Sequence, residues 1–310
     1  MILPVPKRYV RGFPACKRML DGITVHAMNR CAAMTMLTIT LLGSGCVNRM
    51  FYYPTADVYD VPSRHGLPYE PVDFFSRDGT RLTGWFLPAT GEPRGTVVHY
   101  HGNAQNLTAH FAFVSWLPRE GFNVFVFDYR GYGRSEGVPD RRGVHEDGLA
   151  ALDYVMKRPD VHPERVVVLG QSLGGAVAVA ALASRSERPV KAVVIDSSFY
   201  SYQRIVRDKI RGIPVLSWFR WPLSWLVVSN RRSPGPVIHH LAPIPLLVIH
   251  GTDDEVIPPA HGRKLFEAAG EPKTLVMVPG GRHTDALVHP DPRYRKQVVD
   301  FFMRALNGRR

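Results

Sequence analysis

Ser172 stands in Gly170-Gln171-Ser172-Leu173-Gly174, a serine with a glycine two positions to either side. Glycines at those places permit a bend too tight for side chains. The residues before it, Val166 to Leu169, are all apolar and mostly β-branched, as in a strand buried on both faces. Small residues follow, Gly175, Ala176, Ala178 and Ala180, suited to a helix packed close against a sheet. An alcohol pinned where strand turns into helix is exposed, because both elements lead away from it. It can act as a nucleophile once a base takes its proton. The same pattern recurs as Gly133-Arg134-Ser135-Glu136-Gly137. There Pro139 and Gly143 follow too closely for a helix to begin directly after the serine. Ser135 therefore reads as a loop residue and Ser172 as the nucleophile.

Thirteen histidines compete to be the base. If the chain order is serine, acid, histidine, the base lies late, and His283 in Pro279-Gly280-Gly281-Arg282-His283 satisfies this. His289 is followed by Pro290 and suits a surface role; His250 and His261 read as packing or solvent-exposed histidines. An acid would hold the imidazole tautomer and stabilise the imidazolium. Asp254 lies in His250-Gly251-Thr252-Asp253-Asp254-Glu255-Val256-Ile257-Pro258, directly after a strand; Asp253 and Glu255 beside it, and Asp196 one strand earlier, are contenders. Acyl transfer also needs donors for a developing oxyanion. The backbone N–H groups of Leu173 and of Asn103, in His101-Gly102-Asn103-Ala104, are placed to supply them, with Gly102 leaving room for the approach.

These residues need a scaffold. Pro71–Ser76 and Arg81–Leu87 read as strands joined at Asp78-Gly79, a hairpin signal. Further strands are expected at Thr96–Tyr100, Asn123–Tyr129, Arg165–Leu169, Ala192–Asp196, Leu246–His250 and Thr274–Val278. Helices are expected at Gln105–Leu117, Val144–Lys157, Leu173–Ser184, Ala260–Ala269 and Tyr294–Leu306. Such alternation implies a mainly parallel sheet covered on both faces, with its site at the carboxyl ends of the strands. The one interruption is Ser197–His240, where a short crossover would suffice.

The 310 residues suffice for one large α/β domain plus an appendage, and no apolar run approaches the roughly 20 residues of a membrane-spanning helix. Cys31–Leu42 has the length of a secretory apolar region, preceded by Met28-Asn29-Arg30 and followed by Leu42-Gly43-Ser44-Gly45-Cys46. The last stretch resembles a bacterial lipoprotein cleavage site, with the leucine one residue further from the cysteine than usual. Residues 1–45 are expected to be leader and signal, with the true start at Met28 or a long basic leader, and Cys46 to carry lipid; the alternative is an N-terminal anchor helix that is not cut, with Cys46 its last residue. Residues 46–70 are expected to be a linker and 71–310 the folded domain. All three cysteines, Cys16, Cys31 and Cys46, lie outside 71–310, so that domain has no internal disulfide and no thiolate metal site.

Of the formal charge of +12, the chain from Cys46 onward carries +7, and the insert 197–240 holds +6 of that. Arg204, Arg207, Lys209, Arg211, Arg220, Arg231 and Arg232 face only Asp208 in the insert 197–240. The same stretch holds Trp218, Phe219, Trp221, Trp225, Leu226, Val227 and Val228. Cations beside indoles and aliphatics suit a headgroup–acyl boundary, or an apolar lining with solvated arginines outside. They suit nucleic acid less, since no recognition motif accompanies them.

In order along the chain, HGNA, DYRGYGRSEG, GQSLGG, HGTDDEVIP and GGRHTD resemble the α/β-hydrolase superfamily. More closely they are similar to a branch with an HGNA oxyanion loop that includes protein depalmitoylases and bacterial lipoprotein hydrolases. The resemblance runs from Pro71 to Phe302. It implies Ser172 as nucleophile, Asp254 as acid, four residues before Pro258, and His283 as base. It also makes Asp128–Gly133 a structural loop beside the site. The fold expected is an α/β-hydrolase fold, a mainly parallel doubly wound sheet with a small cap insertion at 197–240. The activity expected is hydrolysis of an acyl-chain ester or thioester through an acyl-enzyme, without cofactor or metal, at the bacterial envelope with the cap and Cys46 contacting a membrane. A peptidase of the same mechanism and a non-catalytic lipid-binding envelope protein are the alternatives.

Overall fold

In a computed structural model of the chain, residues 51–187, 189–211, 218 and 220–308 are described; all belong to the unit Asn48–Arg310. The expectations for the leader and for Cys46 lie outside them. Among the described residues no helix is long and apolar enough to cross a membrane.

Hydropathy patterning separates the strands into two kinds. The hairpin β1 (Glu70–Phe75) and β2 (Arg81–Leu87) alternates buried and more exposed residues, the period of a half-covered sheet edge. The strands β3 (Gly95–Tyr100), β4 (Phe122–Phe127), β5 (Val166–Gln171), β6 (Val193–Asp196) and β7 (Leu246–Gly251) are buried along their whole length. Their near-continuous apolar runs are what a parallel sheet covered on both faces requires. β8 (Lys273–Val278) closes the far edge, and the order across the sheet is β1-β2-β4-β3-β5-β6-β7-β8. Only β2 runs against its neighbours; β4 to β8 and β3 are parallel. The parallel, two-face-covered sheet expected from the sequence is therefore the one observed, and its elements are those of the α/β-hydrolase fold.

Seven helices join the strands among the described residues: α1 (Leu107–His110), α2 (Arg141–Met156), α3 (Leu173–Ala183), α4 (Tyr202–Arg211), α5 (Arg220–Val227), α6 (Ala260–Ala268) and α7 (Arg293–Leu306). One sheet face packs Val97, Val124, Val167, Val194 and Leu247 against Phe111, Leu117, Val298 and Phe302. On the other face α2 is close enough that Tyr100 donates its hydroxyl to the Gly148 carbonyl at 2.6 Å. A Cβ at Gly148 would lie 2.8 Å from the same ring.

Two helices differ from expectation by more than one residue at an end. Gln105–Leu117 is not one helix but α1 followed by a single 3-10 turn, Phe111–Phe113. Asn106 caps the start of α1 by accepting from Thr108 N–H. Beyond it, Ser115 Oγ donates to Ala112 O and Trp116 Nε1 to Phe113 O, occupying carbonyls that a continuing helix would need. The helix expected from Val144 starts at Arg141, capped by Asp140, which accepts from Arg142 and Gly143 N–H. Gly143 is thus helical, and it is glycine because Arg130 lies over it; a Cβ there would sit 2.3 Å from Nε.

Candidate active site

The bend after β5 is built as the glycines imply, with a refinement. A Cβ on Gly170 would meet Gly175 Cα at 2.7 Å, across the bend, but one on Gly174 would meet Tyr100 O at 2.0 Å, against the neighbouring strand. Ser172 itself has φ 53° and ψ −118°, a conformation costly for a residue with a side chain. Its surroundings impose it. Ser172 N–H donates to Asp196 O at 2.8 Å, and Ser198 Oγ donates to Ser172 O at 2.9 Å.

Three loops at the carboxyl ends of β5, β7 and β8 converge here. Ser172 Oγ lies 3.0 Å from His283 Nε2, and His283 Nδ1 lies 2.8 Å from Asp254 Oδ2. Ser172 and Asp254 are buried, whereas His283 is half-exposed. Asp254 Oδ1 also accepts from the N–H groups of Val256 and Ile257. Burial pushes its carboxyl pKa up, but hydrogen bonds from His250 and His283 outweigh this and hold it well below the usual carboxylate range. His250, read from sequence as a packing or solvent-exposed histidine, is fully buried and donates Nε2–H to Ile257 O at 2.8 Å, with Asp254 Oδ2 3.3 Å away. It therefore shapes the loop that carries Asp254.

The other acid contender, Asp196, ends β6 close by but is otherwise engaged. It accepts from Gln171 Nε2 at 3.2 Å and from Ser197 Oγ at 3.1 Å, and burial raises its pKa. Asp253 is occupied at the surface, accepting from Thr252 Oγ1 at 2.8 Å. Ser135 stays in its loop, buried, donating to Asp128 O and accepting from Thr83 N–H, both at 2.9 Å. His289 accepts from Asp291 N–H near the start of α7. His261 is buried in α6 and clamps the insert: it accepts from Tyr200 N–H at 2.9 Å and donates to Asp208 Oδ2 of α4 at 2.8 Å.

The loop after β3 faces the same space. Asn103 O accepts from Tyr53 N–H and from the Tyr132 hydroxyl, fixing the peptide, and His101 Nδ1–H donates to Gly102 O. Asp128 accepts from Leu107 N–H at 2.7 Å. Arg130 ties its loop to the scaffold through Asp147, Asp78 and Ser76. Gly102, Asn103, Ser172, Leu173 and His283 all line one cavity of about 280 Å³. Its walls are mainly apolar: Phe51, Phe113, Phe199, Ile205, Val206 and Ile257. Lys209 is at its rim.

Sequence reasoning missed most of those walls. Phe51 comes from the stretch expected to be linker, and Tyr53–Pro54 pairs as a short strand with Ala104–Gln105. The aromatic run Phe51-Tyr52-Tyr53 was the available signal. Ile205, Val206 and Lys209 belong to α4 in the insert, where the apolar stripe Tyr202, Ile205 and Val206 among charged residues was the available signal for the inward face.

Comparison with known proteins agrees with this architecture. The family model described as "Serine aminopeptidase, S33" matches residues 91–242 and 237–287. The YfhR protein of Escherichia coli (strain K12) is 42% identical over 263 residues, covering 83% of this chain and 87% of that protein. The α/β hydrolase domain-containing protein WAV2 of Arabidopsis thaliana is 35% identical over 254 residues, 77% of this chain and 80% of its own length. Among solved structures, the Pyrococcus furiosus esterase Pf2001 superposes with a TM-score of 0.65 at 22% identity, over 82% of this chain and 98% of its own; it shares the fold. A family match spanning most of the sheet, together with relatives of this identity and coverage, means that the chain belongs to the α/β-hydrolase superfamily and is a hydrolase of that fold.

Proposed function

We propose that this protein is a serine hydrolase that cleaves acyl-chain esters or thioesters through an acyl-enzyme, within the depalmitoylase-like branch. One observation carries the reading: Ser172 Oγ, His283 and Asp254 form a continuous hydrogen-bonded series, 3.0 Å and then 2.8 Å, beneath an apolar cavity. In the forward step Ser172 Oγ attacks the acyl carbonyl while His283 Nε2 takes its proton. The anionic oxygen is received by the backbone N–H groups of Leu173 and Asn103. Asp254, kept ionised, holds Nδ1–H and stabilises the imidazolium. His283 then gives its proton to the departing alcohol or thiol, and in the second half activates water to release the acid.

The lining supports an acyl substrate over a peptide with a free amino terminus. An aminopeptidase needs a carboxylate to receive an α-ammonium group, and among the described residues the lining of this cavity includes Lys209 but no Asp or Glu. We further place the mature protein at the bacterial envelope, anchored by lipid on Cys46. Fatty-acid labelling that survives Cys46→Ala would overturn the anchor.

A fluorophosphonate probe tests the central reading. Wild type labels and Ser172→Ala does not; labelling that persists in the variant excludes Ser172 as nucleophile. Screening p-nitrophenyl esters and acyl-thioesters of graded chain length then separates ester from thioester.

A further inference from the structure

α5 is amphipathic in the inverse sense. Its small polar residue Ser224 is fully buried and donates to Trp221 O at 2.9 Å, while Trp221, Trp225 and Leu226 are 53%, 65% and 78% exposed. Trp218, just before the helix, is 88% exposed. Trp221 and Trp225 are spaced by four, so they fall on one side of α5. Three of the chain's five tryptophans are thus turned to the outside within eight residues. The other two, Trp85 and Trp116, pack against the core.

The surroundings are cationic. Arg207 stacks on Trp221, its guanidinium carbon 4.1 Å from the ring centroid. Arg204, Lys209, Arg211 and Arg220 lie on the same two helices, where the one acid, Asp208, is bonded to His261. Indoles interleaved with arginines match a surface with anionic headgroups over hydrocarbon. α4 also borders the cavity above Ser172, which Ile205, Val206 and Lys209 line, and α4 packs on α5.

We propose that the outer face of α5, with the cations of α4, is a docking surface for an anionic lipid bilayer. Docking there brings the mouth of the Ser172 cavity to the lipid. This last consequence rests on the acyl-hydrolase reading; the docking itself does not.

The tryptophans are the natural reporters. Residues 1–50 contain none, so quenching of tryptophan emission by brominated acyl chains reads the cap even when the N-terminal part binds vesicles by itself. The full chain is mixed with brominated vesicles of phosphatidylcholine, with and without phosphatidylglycerol. Quenching is expected with the anionic vesicles, weakening with added salt. Trp225→Ser/Leu226→Ser is expected to weaken the partitioning read by the remaining indoles about tenfold. Arg207→Glu/Arg211→Glu should abolish the preference for anionic lipid. Hydrolysis of a soluble short-chain ester should be unchanged in both variants, which separates a failure of docking from a failure of the hydrolase reading. Absent quenching, or equal quenching by neutral vesicles, overturns the proposal. So does emission already shifted to the blue without lipid, whether it moves with protein concentration, meaning a second copy covers the face, or stays constant, meaning the N-terminal residues do.

Discussion

Thr284 N–H donates to Ser197 Oγ at 3.0 Å, tying the residue after His283 to the first residue beyond β6. Ser197 Oγ in turn donates to Asp196 at 3.1 Å, and both Ser197 (φ 53°) and Thr284 (φ 58°) have left-handed backbones. The buried carboxylate of Asp196 thus acts on the loop that aims the imidazole. Ser197→Ala is expected to lower kcat on a soluble p-nitrophenyl ester about fivefold, the worth of one such hydrogen bond, with KM little changed. Ser197→Gly separates causes: it relieves the backbone but still lacks the hydroxyl, so it should be as slow as the alanine variant.

Replacing each candidate acid by its amide assigns the role. Asp254→Asn presents the wrong partner to His283 Nδ1 and should reduce kcat about 10³- to 10⁴-fold. Asp196→Asn keeps one acceptor, for the Ser197 hydroxyl, and loses the one that takes Gln171 Nε2–H, and should cost less than about tenfold. Steady-state kinetics on folded variants checks both, and the reverse ranking moves the acid to β6.

The second G-x-S-x-G serine gives a contrast. Ser135 Oγ serves Thr83 N–H and Asp128 O in a buried loop. Ser135→Ala should destabilise the fold by about 1–3 kcal/mol in denaturant titration while leaving fluorophosphonate labelling intact.

Much of this was legible beforehand, and unevenly. The buried strands announced themselves because a sheet covered on both faces demands apolar runs, and the bend at Ser172 because only glycine fits at 170 and 174. His283 and Asp254 followed from chain order and from the resemblance. What stayed hidden depends on non-local contact. Gly143 looked like a helix breaker because the arginine that requires it lies thirteen residues earlier. The loss of helix before Leu117 is the local exception: the side chains of Ser115 and Trp116 turn back on the carbonyls of Ala112 and Phe113, where they could as well have pointed to solvent. The cavity wall from α4 needed the insert to be folded over the site, with His261 holding Asp208, which no periodicity reveals.

Acid sensitivity should come from the histidines under the site. His99 is fully buried, and its pKa is lowered from 6.5 to about 3 by desolvation first and by His110 and His101 next. Because the unfolded chain takes up this proton near pH 6.5 and the folded chain only near pH 3, its contribution to stability is complete above pH 6.5. It is lost progressively as pH falls through that window, by about 1.4 kcal/mol per pH unit. Denaturant melts across this range should show His99→Gln with a pH slope smaller by about one proton than wild type.

Phe51 sets a length scale. It forms part of the cavity wall, and only five peptide steps separate it from Cys46. At about 3.6 Å per step the tether spans no more than about 18 Å. Lipid on that cysteine, as proposed, would keep the mouth of the Ser172 cavity within a headgroup layer or so of the leaflet. Turnover would then depend on how many substrate molecules share that patch of leaflet rather than on their concentration in bulk water.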